Sequence, residues 1–156
     1  MKITLDSFVE TEHLGRLLWE KLPEKCLVFL QGELGAGKTT LVRGVLNAAG
    51  YQKAVKSPTY TLVEEYHLAE RDIYHFDLYR LNDPEELEWI GIDDYLQQNA
   101  LCFIEWPQMG QGFLPGADLE INLIHDGGRR EAVFTAVSEK IKNNLQLNWK
   151  NKDILL

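Results

Sequence analysis

Gly32-Glu33-Leu34-Gly35-Ala36-Gly37-Lys38-Thr39 fits the pattern G-x-x-x-x-G-K-[ST], and it limits the fold more than any other stretch of the chain. Its glycines let the backbone curl so that successive N–H groups point at one phosphate. The helix that opens here adds the positive end of its dipole. Lys38 is expected to reach the β- and γ-phosphates, and Thr39 to offer its hydroxyl to Mg²⁺. At average composition, a chance match in a chain this long arises roughly once in 200 sequences. The flanks are those the motif requires. An apolar run over 26–31 reads as a buried strand. Residues 37–49 read as a helix, with Leu41, Val45 and Ala49 on one face and Gly50 just past its end.

A P-loop that hydrolyses its nucleotide also needs an acid at the end of a neighbouring strand, to orient Mg²⁺ or its water ligands. Leu101-Cys102-Phe103-Ile104-Glu105 is an apolar run ending in a carboxylate, which makes Glu105 the first candidate. Asp77 is the second. Alternation puts it on the same strand face as Ile73, His75 and Tyr79, where a carboxylate needs Mg²⁺, Arg80 or a water as partner. Ser57-Pro58-Thr59 follows the P-loop helix by a short loop, the place where nucleotide switches keep a hydroxyl that senses the γ-phosphate. His67 and His75 have no Cys or His company and do not read as a metal site. Arg129 and Arg130 sit at a hairpin, suited either to stack on a base or to face solvent.

The remaining elements set the fold class. Residues 7–22 read as a helix with a Ser7/Glu10 capping box and a stripe of Leu14, Leu18 and Leu22, on which Thr11 is an unusual hydroxyl. Runs over 59–67 and 73–79 predict a hairpin. Asp83-Pro84-Glu85-Glu86 predicts a helix start, interrupted at Gly91. Residues 118–125 and 130–137 predict two antiparallel strands around Asp126-Gly127-Gly128, and a last helix is expected from Ser138. Interleaved strands and helices predict an α/β sandwich with a mixed sheet. Its parallel part is expected to hold 26–31 and 101–105, and its antiparallel part the hairpins.

At 156 residues the chain is expected to be a single domain over 1–156, with a loose tail from about 143 to 156. With 45% hydrophobic and 26% charged residues it is not a mainly disordered chain. Cys26 and Cys102 lie in apolar runs and read as small core residues. No apolar run reaches the roughly 18 residues of a spanning helix, and 1–6 carry no signal-peptide core, so no membrane partner and a cytoplasmic location are expected. The net charge is −8. The surplus is local: Glu64 to Asp94 hold 11 acids and two arginines. Such a chain is ill suited to gripping a phosphate backbone by itself, and the acidic block is either a solvated face or a docking surface for a basic partner.

Taken together, the P-loop Gly-Glu-Leu-Gly-Ala-Gly-Lys-Thr-Thr, Lys56-Ser57-Pro58-Thr59-Tyr60-Thr61-Leu62-Val63-Glu64, Tyr74-His75-Phe76-Asp77-Leu78-Tyr79-Arg80-Leu81, Asp83-Pro84-Glu85-Glu86-Leu87-Glu88 and Ile104-Glu105-Trp106 resemble the bacterial TsaE (YjeE) family, in that family's order over roughly 7–140. The resemblance implies a small P-loop ATPase with a mixed sheet. It would work with the TsaB and TsaD proteins in making threonylcarbamoyladenosine beside the anticodon of tRNA, meeting tRNA only through the complex. It implies ATP and Mg²⁺ as cofactors, with Mg²⁺ on Thr39 and Glu105. It puts phosphates on Glu33, Leu34, Gly35, Ala36, Gly37, Lys38, Thr39 and Thr40, and places Thr11 and Arg130 near the adenosine, Arg129 being the neighbouring alternative. It implies a catalytic role for Asp77 beside Lys38 and Glu105, and an essential one for Trp106; Ser57 and Thr59 are the switch candidates. The competing reading is a small-molecule or nucleoside kinase, which needs a lid with arginines to close over phosphates. A GTPase is disfavoured because Asn151-Lys152-Asp153 has the wrong spacing for guanine selection.

Overall fold

The computed structural model describes residues 1–145. Five helices, β-strand pairing and one 3₁₀ turn follow in the order β1 (Lys2–Leu5), α1 (Phe8–Lys21), β2 (Cys26–Gln31), α2 (Lys38–Ala48), β3 (Val63–Tyr66), β4 (Asp72–Asp77), α3 (Glu86–Trp89), α4 (Ile92–Gln97), β5 (Ala100–Glu105), the 3₁₀ turn Pro107–Gly110, β6 (Leu119–Asp126), β7 (Arg129–Ala136) and α5 (Glu139–Asn144). The seven strands form one mixed sheet in the order β1-β7-β6-β2-β5-β4-β3. The expected α/β, P-loop NTPase-like three-layer sandwich is the fold: α1, α2 and α5 cover one face, and α3, α4 and the 3₁₀ turn the other.

β2 pairs in parallel with β5, as expected, and also with β6; β4 pairs in parallel with β5. The hairpins are therefore not confined to the antiparallel part. Each lends one strand, β4 or β6, to the parallel centre and keeps the other outside it. The predicted strand over 59–67 shortens to Val63–Tyr66. Residues before it form a turn in which the Leu62 N–H donates to the Pro58 carbonyl (2.8 Å), and Leu62 takes φ 70°. β4 stops at Asp77, short of the expected Tyr79. The edge strand β1 was not among the expected elements; it pairs with β7 through Ile3↔Ala132 and Leu5↔Arg130.

Local chemistry sets the helix ends. The Ser7 hydroxyl accepts the Glu10 N–H (3.2 Å), while the Glu10 carboxylate takes the N–H of Asp6 rather than that of Ser7 (2.6 Å). Asp83 and Glu86 cap the start of α3, Glu86 by accepting the N–H groups of Asn82 and Asp83. Gly91, in the left-handed region at φ 75°, separates α3 from α4 as its position predicts. Ser138 caps α5, whose Ile141 packs into the core. Of the tail expected to be loose from about 143, Asn143 and Asn144 belong to α5 and Leu145 is buried in the core, while residues 146–156 lie outside the described residues.

Helices α1 and α2 meet backbone to backbone. A Cβ at Gly15 would fall on the Leu41 carbonyl oxygen, and one at Gly44 on the Glu12 carbonyl oxygen. Glycine inside a helix costs roughly 0.5–1 kcal/mol relative to alanine, so these positions are held by packing, not propensity. Closeness here carries the α1 start, with Phe8 and Thr11, to the P-loop. Gly44→Val is expected to lose at least about 2 kcal/mol by overpacking, read as a fall in Tm of roughly 5 °C or more in a thermal melt; an unchanged Tm would show that the two helices can part freely.

Candidate functional site

The carboxyl ends of β2, β4 and β5 lie side by side at one end of the sheet, the usual place for a ligand crevice in a parallel α/β fold. The turn after β2 carries the P-loop. Gly35 (φ 79°) and Gly37 (φ 108°) adopt left-handed conformations that L side chains rarely take, and Gly37 is the N-cap of α2. Strand register sets the acids: Leu30 pairs with Glu105, and Glu105 with Asp77. Both carboxylates therefore lie at the same end of the sheet, beside the start of α2.

An open cleft brings together Gly35, Gly37, Lys38, Thr39 and Thr40 of the P-loop, Ser57 and Thr59 of the following loop, and Asp77, Glu105 and Trp106 from the strand ends; Phe8 and Leu34 form its apolar rim. Lys38 Nζ donates to the carbonyls of Gly32 and Glu33 and lies 4.8 Å from the Trp106 ring centroid. Burial lowers its pKa, against the pull of Glu105, Asp77 and Glu33, which raise it. Trp106 takes φ 55°, uncommon for a bulky residue, and its ring packs on Tyr79 at 5.0 Å.

The two acids sit in different environments. Asp77 is held by the Thr59 hydroxyl (2.8 Å) and the Tyr79 N–H (2.9 Å), and Thr59 is in turn hydrogen-bonded to Ser57 (2.7 Å). Burial nevertheless raises the Asp77 pKa, aided by the nearby Glu105, outweighing those two donors. For Glu105, burial also pushes upward, but the His75 hydrogen bond, the His75 ring and Lys38 reverse it, and its pKa lies below the usual carboxylate value. Glu105 is therefore the acid that stays ionised, and Asp77 the one that takes a proton first. Arg80 is not the partner of Asp77: its guanidinium lies 4.3 Å from the Tyr60 ring centroid and donates to the Tyr60 hydroxyl.

Thr39 Oγ1 lies 3.4 Å from Glu105 Oε1. A hydroxyl and an ionised carboxylate side by side are hard oxygen donors, the partial set Mg²⁺ takes from a protein when nucleotide phosphates and water supply the rest. On the other side of the P-loop, Arg130 stacks on Phe8 at 4.0 Å, and its side chain is 3.7 Å from where a Cβ of Gly37 would lie. Arg129 points outward to Asp6, at 3.9 Å. Of the two arginines, Arg130 is the one packed against the P-loop, although it does not line the cleft itself. Thr11 is fully buried beside Gly37; its hydroxyl donates to the Ser7 carbonyl (3.2 Å), and its methyl faces the loop. Two residues at this site lacked a signal in the sequence. Phe8 is an exposed residue at a helix start, and Arg130, which stacks on its ring, is more than a hundred positions away. His75, set aside as a metal ligand, contacts Glu105 at 3.1 Å.

The family model described as "Threonylcarbamoyl adenosine biosynthesis protein TsaE" matches residues 5–132. A Haemophilus influenzae protein named tRNA threonylcarbamoyladenosine biosynthesis protein TsaE is 55% identical over 117 residues, 75% of this chain and 74% of that one. The Bacillus subtilis protein of the same name is 35% identical over 84% of this chain and 82% of its own length. Among solved structures, Bacillus subtilis YdiB superposes with a TM-score of 0.79 at 28% identity, covering 92% of this chain and 90% of that one.

Proposed function

The chain belongs to the TsaE family of threonylcarbamoyl adenosine biosynthesis proteins, and from that membership we propose that it binds ATP with Mg²⁺ in the cleft over β2, β4 and β5 and hydrolyses it as a subunit of the tRNA-modifying assembly, with TsaB and TsaD as partners. The observation that carries the reading is the meeting of Lys38, Thr39, Asp77 and Glu105 at one end of the sheet. Lys38 exchanges the carbonyls of Gly32 and Glu33 for the β- and γ-phosphate oxygens. Thr39 and Glu105 hold Mg²⁺, which when bound neutralises charge on those oxygens. Asp77, whose raised pKa suits it to take a proton, orients the attacking water. Arg130 with Phe8 bounds the adenosine side, next to Thr11. The Ser57–Thr59–Asp77 chain ties the loop after α2 to the catalytic acid, so that a change at the γ-phosphate is felt by this loop. Carbamoyl transfer belongs to TsaD in this reading, and tRNA is met through the complex, in the cytoplasm. Among the described residues no helix is long and apolar enough to cross a membrane.

Nucleotide titration with and without Mg²⁺ tests the two acids. Glu105→Ala is expected to lose the Mg²⁺-dependent tightening of ATP, an effect of roughly 10- to 100-fold for a lost charged contact. Asp77→Ala is expected to keep ATP binding and lose hydrolysis. The opposite pattern would exchange their roles; two variants that both behave as wild type would refute the site.

A further inference from the structure

We propose that His75 is a positioning residue for Glu105: its Nε2–H fixes the carboxylate that faces the P-loop hydroxyl, so that the cation arriving with the nucleotide meets a ligand already set in place. The inference rests on the Mg²⁺–ATP reading above.

His75 and Glu105 lie on neighbouring parallel strands. His75 pairs in register with Phe103, which makes Glu105 its diagonal neighbour on the same face. His75 is wholly buried and Glu105 is 3% exposed. Their contact, Nε2 to Oε1, is 3.1 Å, shorter than the 3.4 Å between the same oxygen and Thr39. The other ring nitrogen, Nδ1, is buried with no hydrogen-bond partner. A ring with one polar contact, and that contact a carboxylate, must donate there. A proton on Nε2 meets this need.

A buried imidazole with a single bond, directed at a carboxylate in the cleft, does not build the core as an apolar side chain would. Its chemistry is that of an outer partner that orients a ligating group. Without that donor, Oε1 loses its shortest partner, and the carboxylate is drawn toward the Lys38 charge or the Asp77 carboxyl, its register neighbour. The cation would then have to turn Glu105 back on binding.

Three variants separate this role from general damage. His75→Leu removes the donor. His75→Asn keeps an amide, but its short side chain does not reach Glu105. His75→Gln places an N–H near the position of Nε2. Each is checked by thermal melting, then titrated with ATP in EDTA and across a Mg²⁺ series. His75→Leu and His75→Asn are expected to bind metal-free ATP within about twofold of wild type and to need roughly 10- to 100-fold more Mg²⁺ for half-maximal tightening; His75→Gln is expected to recover most of the loss. Should His75→Leu fail to fold, Asn against Gln decides. Wild-type Mg²⁺ dependence in folded Asn or Leu variants would overturn the proposal, as would equal losses with and without metal. If wild-type protein itself shows no tightening by Mg²⁺, the Mg²⁺–ATP reading falls and this inference with it; if wild type responds and the variants respond alike, only the role of His75 falls.

Discussion

Lys38→Ala is expected to abolish ATP hydrolysis and to weaken ATP binding while leaving adenosine binding unchanged. The side chain's stem is buried along the P-loop and its ammonium is held by two loop carbonyls above Trp106. On the proposed reading its loss removes contact with the phosphates and not with the adenosine. A hydrogen bond to a charged group contributes roughly 1.5–3 kcal/mol, about 10- to 150-fold in affinity. The loss in rate is expected to be larger, because charge on the γ-phosphoryl oxygens develops where Lys38 would be. Calorimetric titration with ATP and with adenosine, beside phosphate release, checks both parts; equal ATP affinity and unchanged turnover would remove the motif as the site.

Addition of TsaB and TsaD is expected to raise ATP turnover by roughly 10³- to 10⁵-fold, the range by which a charge supplied in trans accelerates phosphoryl transfer. Several cations among the described residues have partners of their own. Arg43 pairs with Glu12 at 3.5 Å, and Arg80 stacks on Tyr60. Arg71 caps α1 through the carbonyls of Trp19, Leu22 and Pro23. Arg130 lies on the Phe8 side. Lys38 is the cation among the residues that line the cleft. The same tethering of Arg80 counts against a kinase lid. On the proposed reading the acidic face of α3 is the docking surface: Glu85 and Glu88 are exposed, and Trp89 is 76% exposed between them and α4. Reversing Glu85 and Glu88 is expected to weaken association at matched ionic strength and leave ATP affinity unchanged. Glu86 is unsuited to this test because it caps its own helix. Turnover of many per second by the lone chain, unaltered by partners, would contradict a partner-completed site.

Much of the site was legible because its parts are local. The P-loop pattern, the apolar run ending at Glu105 and the cap at Ser7 each carry their meaning within a few residues, and the structure brings Lys38, Thr39, Asp77 and Glu105 together. What escaped depends on contacts far apart in the chain. β1 is four residues long and exists through its pairing with β7. Thr59 to Leu62 has strand-like composition, but Thr59 is drawn to Asp77 and Pro58 accepts from Leu62, so the segment turns instead. Gly15 and Gly44 read as weak helix positions until the crossing of α1 and α2 explains them. His75 gave no metal-ligand spacing because its partner, Glu105, lies thirty residues on and across a strand pair.

The most direct test of the account is threonylcarbamoyladenosine content of tRNA in a cell extract depleted of this protein and then supplied with wild-type chain or with Lys38→Ala, measured after digestion of the tRNA to nucleosides. The account predicts that wild-type chain restores the modified nucleoside in the presence of ATP and that folded Lys38→Ala does not. Equal restoration by the two would contradict it, since tRNA modification would then proceed without the P-loop site on which the account depends.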